Sequence, residues 1–428
     1  MALFTDSVYT PWNCYRGFMR LGMLIIGTEL LQGKITDANT VWLAQFLRPW
    51  NLRLQLTLTV SDDQTDIQAA LQMLYERCDV VVCSGGLGPT ADDITKECLA
   101  RFFARKVVAQ ASARLVAEAN YARFHRTLAA DHGYGYLPED FLALSNPSGF
   151  APGFWFTDSK RALMAAPGVP KEFRDMLTEH FPKLVAPLLK LPGEMSLLNF
   201  RTRGVPEEKI FNELAPGLWD ELAAHGSVSS LPHVLGVDIG VTLVGDVKNK
   251  TAGVQKIMHQ SPVAPHVWHE GFESLEELIV LRARERKLTF GFAESCTGGL
   301  CSHRMTNVSG ASSVFWGSVV SYDNSVKKNL LHVAPDTLTK HGAVSEATAK
   351  EMAQGARAAL GVTIAISLTG IAGPLGGTAE KPVGTVWVGV ASATGVKALR
   401  FEYKGDRETL KLRFSQIALY TLLDELKK

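Results

Sequence analysis

The 428 residues contain no unbroken apolar run long enough to span a bilayer. They also lack a dominant charge. Lys plus Arg number 44 and Asp plus Glu 43, a formal net charge of +1, so bulk charge argues for neither a nucleic-acid nor a membrane partner. There is no CxxC pair. Cys14, Cys78, Cys83, Cys98, Cys296 and Cys301 are spaced like neither a zinc site nor a disulfide framework. Free thiols in a reducing cytoplasm are the expectation. Residues 1–20, MALFTDSVYTPWNCYRGFMR, lack a charged start followed by an apolar run, so no signal peptide is expected. No basic stripe or aromatic platform favours DNA contact.

What is present is ordinary globular material, 46% hydrophobic and 20% charged. The length allows two to four domains. Strand-like sequence begins just after Met19, so residues 1–18 read as an extension. Leu24-Ile25-Ile26 ends at Gly27 like a buried strand. Leu43, Phe46, Leu47 and Trp50 share a helical face. Leu52 to Val60 alternates as a strand, Ile67, Ala70, Leu71 and Leu74 repeat the helical spacing, and Val80 to Cys83 is another buried strand. This β-α-β-α-β order predicts a mostly parallel sheet with helices on both faces, which binds ligands at the carboxyl ends of its strands.

The motif SGGLGPTADDIT, Ser84 to Thr95, falls at such an end. Gly85, Gly86 and Gly88 permit close backbone approach to a ligand, and with Thr90 they are the phosphate-binding candidates beside a helix start. Adjacent Asp92 and Asp93 suit a hard divalent cation. The alternative is that one is an N-cap and the other is solvated. Residues 105–150 read as helix followed by loop, Leu163 to Ala166 as a strand, and a helix carries Phe173, Met176 and Leu177. Pro182 to Pro192 reads as a boundary. Residues 196–270 form a small α+β unit without concentrated chemistry, a spacer or an interface.

In the last third, a strand over Leu288–Phe292 runs into AESCTGG, Ala293 to Gly299. Ser295 lies between strand and helix, where helix N-terminal amides could stabilise an oxyanion. A serine needs a base. No Ser-His-Asp arrangement is visible, and His303 and His341 are poorer candidates than Lys327, whose ammonium loses its proton more easily when desolvated. Tyr322 could donate a hydrogen bond. Cys296 is a rival nucleophile that residue type does not reject. Thr297-Gly298-Gly299 and the loop from Thr369-Gly370 through Gly377 offer tight backbone approach, and Asp406 can cap the last helix. Arg407 suits a phosphate or carboxylate, or is merely a solvated helix-start arginine.

AESCTGG, the later Tyr322-x-Asn324-x-x-Lys327, HGAVSE (His341 to Glu346), TGIAGPLGG and KPVGTVW resemble the nicotinamide-nucleotide amidase domain of the CinA family. IIGTELLQGKITDAN and SGGLGPTADDIT resemble its molybdopterin-binding-type domain. The resemblance runs from about Met19 to the end of the chain. It implies an α/β protein: a three-layer molybdopterin-binding-like domain over 19–190, a small α+β domain over 191–272, and an α/β amidase domain over 273–428. It implies deamidation of nicotinamide mononucleotide (NMN) to nicotinate mononucleotide and ammonia, without a cofactor. Ser295 would be the nucleophile and Lys327 its base, while Tyr322, Ser312, Thr369 and Arg407 assist or bind the nucleotide. This choice of Ser295 over Cys296 is by analogy. For the N-terminal domain it implies hydrolysis of ADP-ribose with a divalent metal, for which Asp92 and Asp93 are the candidates, then Glu29, Asp37 and Asn39. YGYLP, Tyr134 to Pro138, departs from the family, which carries a basic or amide residue before its Leu-Pro. The resemblance also implies a homodimer. The alternative is a competence or damage-inducible accessory protein whose N-terminal domain binds a molybdopterin-like ligand without cleaving it.

Overall fold

The computed structural model describes residues 19–50, 52–129, 132–158, 161–185, 188 and 195–428. The expected extension over 1–18, with Cys14, lies outside them. The chain divides into two compact units, residues 1–195 and 196–428.

In the first unit, β1 (Leu21–Ile26), β2 (Leu54–Val60), β3 (Val80–Ser84), β6 (Leu142–Leu144), β7 (Gly153–Thr157) and β8 (Ala162–Ala166) form one sheet in the order β2-β1-β3-β8-β7-β6. The first three pairings are parallel and the last two antiparallel. The strands β4 (Val107–Ala109) and β5 (Tyr136–Pro138) make a separate ribbon. β1 and β3 are continuous apolar runs because both their faces are covered. Leu24, Ile26, Val81 and Cys83 pack with Ile67, Leu71 and Leu74 of the helix Gln64–Arg77. Met23, Ile25, Val80 and Val82 pack on the other face with Leu43, Phe173, Met176 and Leu177. These are the three layers that the β-α-β order predicts.

Where the expectation was helix then loop, residues 105–150, the structure has the helix Ala111–Arg123 and three short strands. Those strands carry too few residues to show a period. Pro182 is no boundary: it lies inside the helix Pro170–Leu184.

The second unit holds two sheets. β9 (Met195–Thr202), β10 (Ser227–His233), β11 (Gly236–Val244) and β12 (Val267–Glu270) order as β10-β11-β9-β12 over the helix Val247–Gln260. Of these, β10 and β12 were not visible in the periodicity. β13 (Phe290–Glu294), β14 (Phe315–Val320), β15 (Ile364–Gly370), β16 (Thr385–Ser392) and β17 (Gly395–Glu402) order as β14-β13-β15-β16-β17. β14, β13 and β15 are parallel, and β16 and β17 antiparallel. Phe290, Phe292, Ile366 and Leu368 face Leu278 and Ile279 of the helix Leu275–Glu285 and Phe414 and Leu422 of the helix Arg407–Leu426. Each such fully buried side chain stabilises by about 2 kcal/mol. Ala293 and Ala365 face Met352 and Ala356 of the helix Glu346–Leu360 and Leu331 of the helix Asn324–Leu331. Residues 196–272 are therefore part of the same compact unit as the five-stranded sheet, and Trp268 of β12 sits in that sheet's core.

Candidate active sites

In the second unit the chemistry gathers where β13 ends. Ser295 is the first residue after the strand and is 9% exposed. Its amide donates to Leu368 O at 3.0 Å and its carbonyl accepts from Gly298 N at 3.1 Å. Lys327, on the helix Asn324–Leu331, is 1% exposed. Its Nζ lies 3.2 Å from Ser295 Oγ, 2.8 Å from Ser321 O and 3.1 Å from Tyr322 O. Burial lowers the Lys327 pKa, opposed by the nearby Cys296 and Asp323. A neutral amine keeps two N–H donors for the two carbonyls, which leaves its lone pair for the serine hydroxyl. Cys296 is also buried, and desolvation pushes its thiol up to about 12. It is therefore a protonated thiol at neutral pH. His303 and His341 are exposed.

Tyr322 contributes its backbone carbonyl to Lys327, while its side chain is exposed and its Oη accepts from Arg407 Nη2 at 3.0 Å. Arg407 Nη1 donates to Gly373 O at 2.7 Å. The arginine is thus fixed to the glycine loop, at the start of a helix capped by Asp406 through Thr409 N. Thr369 continues β15 one residue beyond Leu368, the partner of Glu294 in the register. Its hydroxyl is taken by Ala343 O at 2.6 Å, which ties HGAVSE to the sheet. At Gly370 a Cβ would come within 2.7 Å of Thr385 O, so the glycine lets β16 approach.

Three expectations need correcting. The helix Leu300–Thr306 does not turn its first amides to a ligand. Gly299 N, Cys301 N and Ser302 N all donate to the fully buried Glu294 carboxyl, at 3.0 to 3.1 Å. Thr297 joins them: its hydroxyl donates to Glu294 Oε2 at 2.8 Å. Of the TGG triplet, Gly298 alone faces open space, with a positive φ of 64°. Ser312 is not beside Ser295. It lies in the turn Ala311–Ser313 before β14, lining a different concavity with Val308, Phe315 and Trp316. The parallel register pairs Phe290 with Phe315 and Glu294 with Val320. A residue preceding β14 is therefore a strand length, roughly 16 Å, from one following β13.

In the first unit a cavity of about 560 Å³ opens at the carboxyl ends of β1 and β3. Gly85, Gly86 and Gly88 line it, and Gly85, at φ 109°, has no room for a Cβ, which would meet Ile26 O at 2.1 Å. The loop is folded back on its helix, Thr95–Phe102, by bonds from Thr95 Oγ1 to Gly85 O and Thr95 N to Gly86 O. Thr90 is not among the lining residues, and its N and Oγ1 donate to Asp93 Oδ2. Asp93 thereby braces the loop, and Asp92 is the exposed member of the pair, its pKa lowered by the Thr90 hydroxyl. Both line the cavity with Glu29, Asp37, Asp62 and Glu172, and among the described residues no Lys, Arg or His does. Asp37 accepts from Asn39 N and Thr40 N, and Asp62 from Thr28. Burial raises the Glu172 pKa, while Asn146 Nδ2 holds one of its oxygens at 2.7 Å. Asn39 is 5% exposed and its Oδ1 has no hydrogen-bond partner among the described residues. Among the described residues no three carboxylates, histidines or cysteines converge as a metal site. Asp62 and Glu172 escaped the sequence reading because one follows β2 and the other lies in the first turn of the helix Pro170–Leu184, both far in sequence from the glycine motif.

Residues 22–186 match the probable molybdopterin binding domain, and residues 272–426 the CinA C-terminal domain. A CinA-like protein of Salinibacter ruber is 37% identical over 410 residues, 94% of this chain and 98% of its own length. The chain belongs to the CinA family. Another relative, the putative competence-damage inducible protein of Halothermothrix orenii, is 35% identical over 413 residues, covering 95% of this chain and 98% of itself. The crystal structure of the competence/damage inducible protein CihA from Agrobacterium tumefaciens is 37% identical, covering 37% of this chain and 99% of that one with a TM-score of 0.35. The α/β architecture expected of the CinA family, with a parallel-rich sheet in the N-terminal unit, is the one observed. Among the described residues no helix is long and apolar enough to cross a membrane.

Proposed function

We propose that the Ser295 site hydrolyses the carboxamide of NMN, giving nicotinate mononucleotide and ammonia. The observation that carries this reading is the 3.2 Å contact between the buried Lys327 Nζ and Ser295 Oγ. The substrate class comes from the family motifs. Lys327, neutral, takes the proton from Oγ as the oxygen attacks the amide carbon. The amides of Cys296 and Thr297 donate to no oxygen of the described residues and lie against the Cys296 sulfur. They are the donors left for the tetrahedral oxyanion once Glu294 has taken the helix amides. Lys327 returns the proton to the departing ammonia, and water then cleaves the acyl-serine. Arg407 spends two N–H groups on Gly373 and Tyr322 and keeps others for the nucleotide phosphate. Ammonia release from NMN by wild type and Ser295→Ala tests this. Full activity in the alanine variant would remove Ser295 as the nucleophile.

For the N-terminal cavity the proposal is cleavage of ADP-ribose to AMP and ribose 5-phosphate with a divalent cation. The lining supports a cation: among the described residues six carboxylates and no positive side chain line the space, and a pyrophosphate placed there needs its charge neutralised. Hard oxygen donors fit a magnesium-like ion that keeps several waters. Asp92, whose carboxylate is exposed, would hold it with Asp93. The metal would supply charge neutralisation; the chain's glycine loop would seat the ligand. A second reading, binding of a pterin without cleavage, is favoured by the partnerless Asn39 Oδ1, which suits a ligand rich in N–H donors. AMP formation across several metals supports the first reading. Tight pterin binding with no AMP supports the second, and with it an accessory role for the protein.

A further inference from the structure

The residue before the nucleophile has the most crowded side chain of its loop. Glu294 ends β13 with 0% exposure. Its Oε2 accepts from Thr297 Oγ1 at 2.8 Å, Gly299 N at 3.1 Å and Cys301 N at 3.0 Å. Its Oε1 accepts from Ser302 N at 3.0 Å and Ser302 Oγ at 2.6 Å, with Ser318 Oγ of β14 at 3.5 Å. No cation is among these partners. Backbone amides and hydroxyls replace the water that burial removes, and the helix macrodipole favours a negative group here.

We propose that Glu294 is a positioning residue for Ser295: its carboxyl holds the strand-to-helix turn from inside, so that the next side chain faces Lys327. This rests on the reading of Ser295 as nucleophile. Ser295 is held on both sides, by its amide on Leu368 O and its carbonyl on Gly298 N. Gly298 and Gly299 take positive φ, and the turn they make aims Gly299 N, Cys301 N and Ser302 N at the carboxyl. Every partner of Glu294 is a donor. An amide in its place would set an NH2 against donors, and the turn would rotate to relieve it. Aspartate is one methylene shorter and reaches fewer of the partners. The same carboxyl also decides which amides meet the substrate. By occupying those of the helix, it leaves the ones directly after Ser295.

The test reads the nucleophile without reference to a substrate. Full-length wild type, Glu294→Gln, Glu294→Asp and the double variant Thr297→Val/Ser302→Ala are treated with phenylmethylsulfonyl fluoride across pH. Attachment at Ser295 is followed by mass spectrometry: Oγ bonds to sulfur, fluoride leaves, and the proton passes to Lys327. Glu294→Gln is expected to label at least tenfold more slowly, with Glu294→Asp intermediate and the double variant two- to fivefold slower. The pH midpoint stays that of wild type, because burial, which the substitution leaves in place, is the main cause of the lowered Lys327 pKa, and Glu294 is not among the Lys327 hydrogen-bond partners. A turn that merely collapsed would move the midpoint as well. Wild-type labelling by Glu294→Gln overturns the proposal, as does a midpoint shift that accounts for the whole loss. Should that variant not fold, wild-type labelling by the double variant overturns it. Ammonia release is read on the same samples. Labelling without turnover removes the substrate assignment alone, whereas a wild type that never labels at Ser295 removes nucleophile and positioning residue together.

Discussion

The two candidate sites solve the problem of charge in opposite ways. The Ser295 site carries its own cation, Arg407, fixed by Gly373 and Tyr322, beside the buried amine of Lys327. Among the described residues the N-terminal cavity is lined by six carboxylates and by no lysine, arginine or histidine. A phosphorylated ligand can be met by protein groups alone in the first. In the second it needs a borrowed cation, or the ligand must be a donor rather than an anion. Shared sheet architecture does not imply shared electrostatics, because the charged residues lie in the loops at the strand ends and not in the strands.

The largest effect that sharpens this contrast is expected from Lys327→Ala. Deamidation should fall roughly 100- to 10,000-fold, while AMP release from ADP-ribose, measured on the same folded protein, should stay at the wild-type level. Loss of both activities would mean that the sites are coupled. The wild-type pH profile carries a matching signature. Lys327 has a folded pKa below its ordinary 10.5 and acts as the neutral amine. Activity should therefore fall as pH drops through that lowered value and reach a plateau above it. Stability shares the sign: the folded state sheds this proton more readily, so unfolding free energy should rise with pH between the lowered value and the unfolded one.

Removal of divalent metal by a chelator is the next effect in size. AMP formation should disappear and return on adding magnesium or manganese, with ammonia release from NMN unchanged. Metal-independent AMP formation would break the comparison, since an all-carboxylate lining would then handle a pyrophosphate unaided. The smallest effect is expected from Tyr322→Phe. It removes one exposed hydrogen bond to Arg407 and keeps the backbone carbonyl that holds Lys327. The KM for NMN should rise about two- to fivefold with little change in kcat. A loss in kcat instead would give the phenol a role in proton transfer.

Most of the central strands were legible because a strand covered on both faces is written as an uninterrupted apolar run, as in LGMLII and VVVCS. β17 was not: it is an edge strand, with Glu402, Leu399 and Arg400 exposed, and its pattern carries little contrast. The proximity of Ser295 and Lys327 could be inferred from residue type and motif, for one follows β13 and the other lies in the first turn of the helix after the neighbouring strand β14. Ser312 misled because nearness in sequence across a parallel βαβ unit is distance in space. The carboxyl of Glu294 was invisible as an organiser because half of its partners are main-chain amides. Their direction is set by the turn and by no residue code.

The seating of Trp268 has a practical consequence. Its ring lies in the core of the five-stranded sheet although β12 belongs to the other sheet. Arg201 lies over it, Arg203 lies over Tyr420, and Arg203 pairs with Asp424 at 3.0 Å. An expression fragment begun at residue 273 would discard all three and strip a lid from the last helix. A protease sampling the native chain should accordingly yield two stable pieces, parted near residue 195, instead of three.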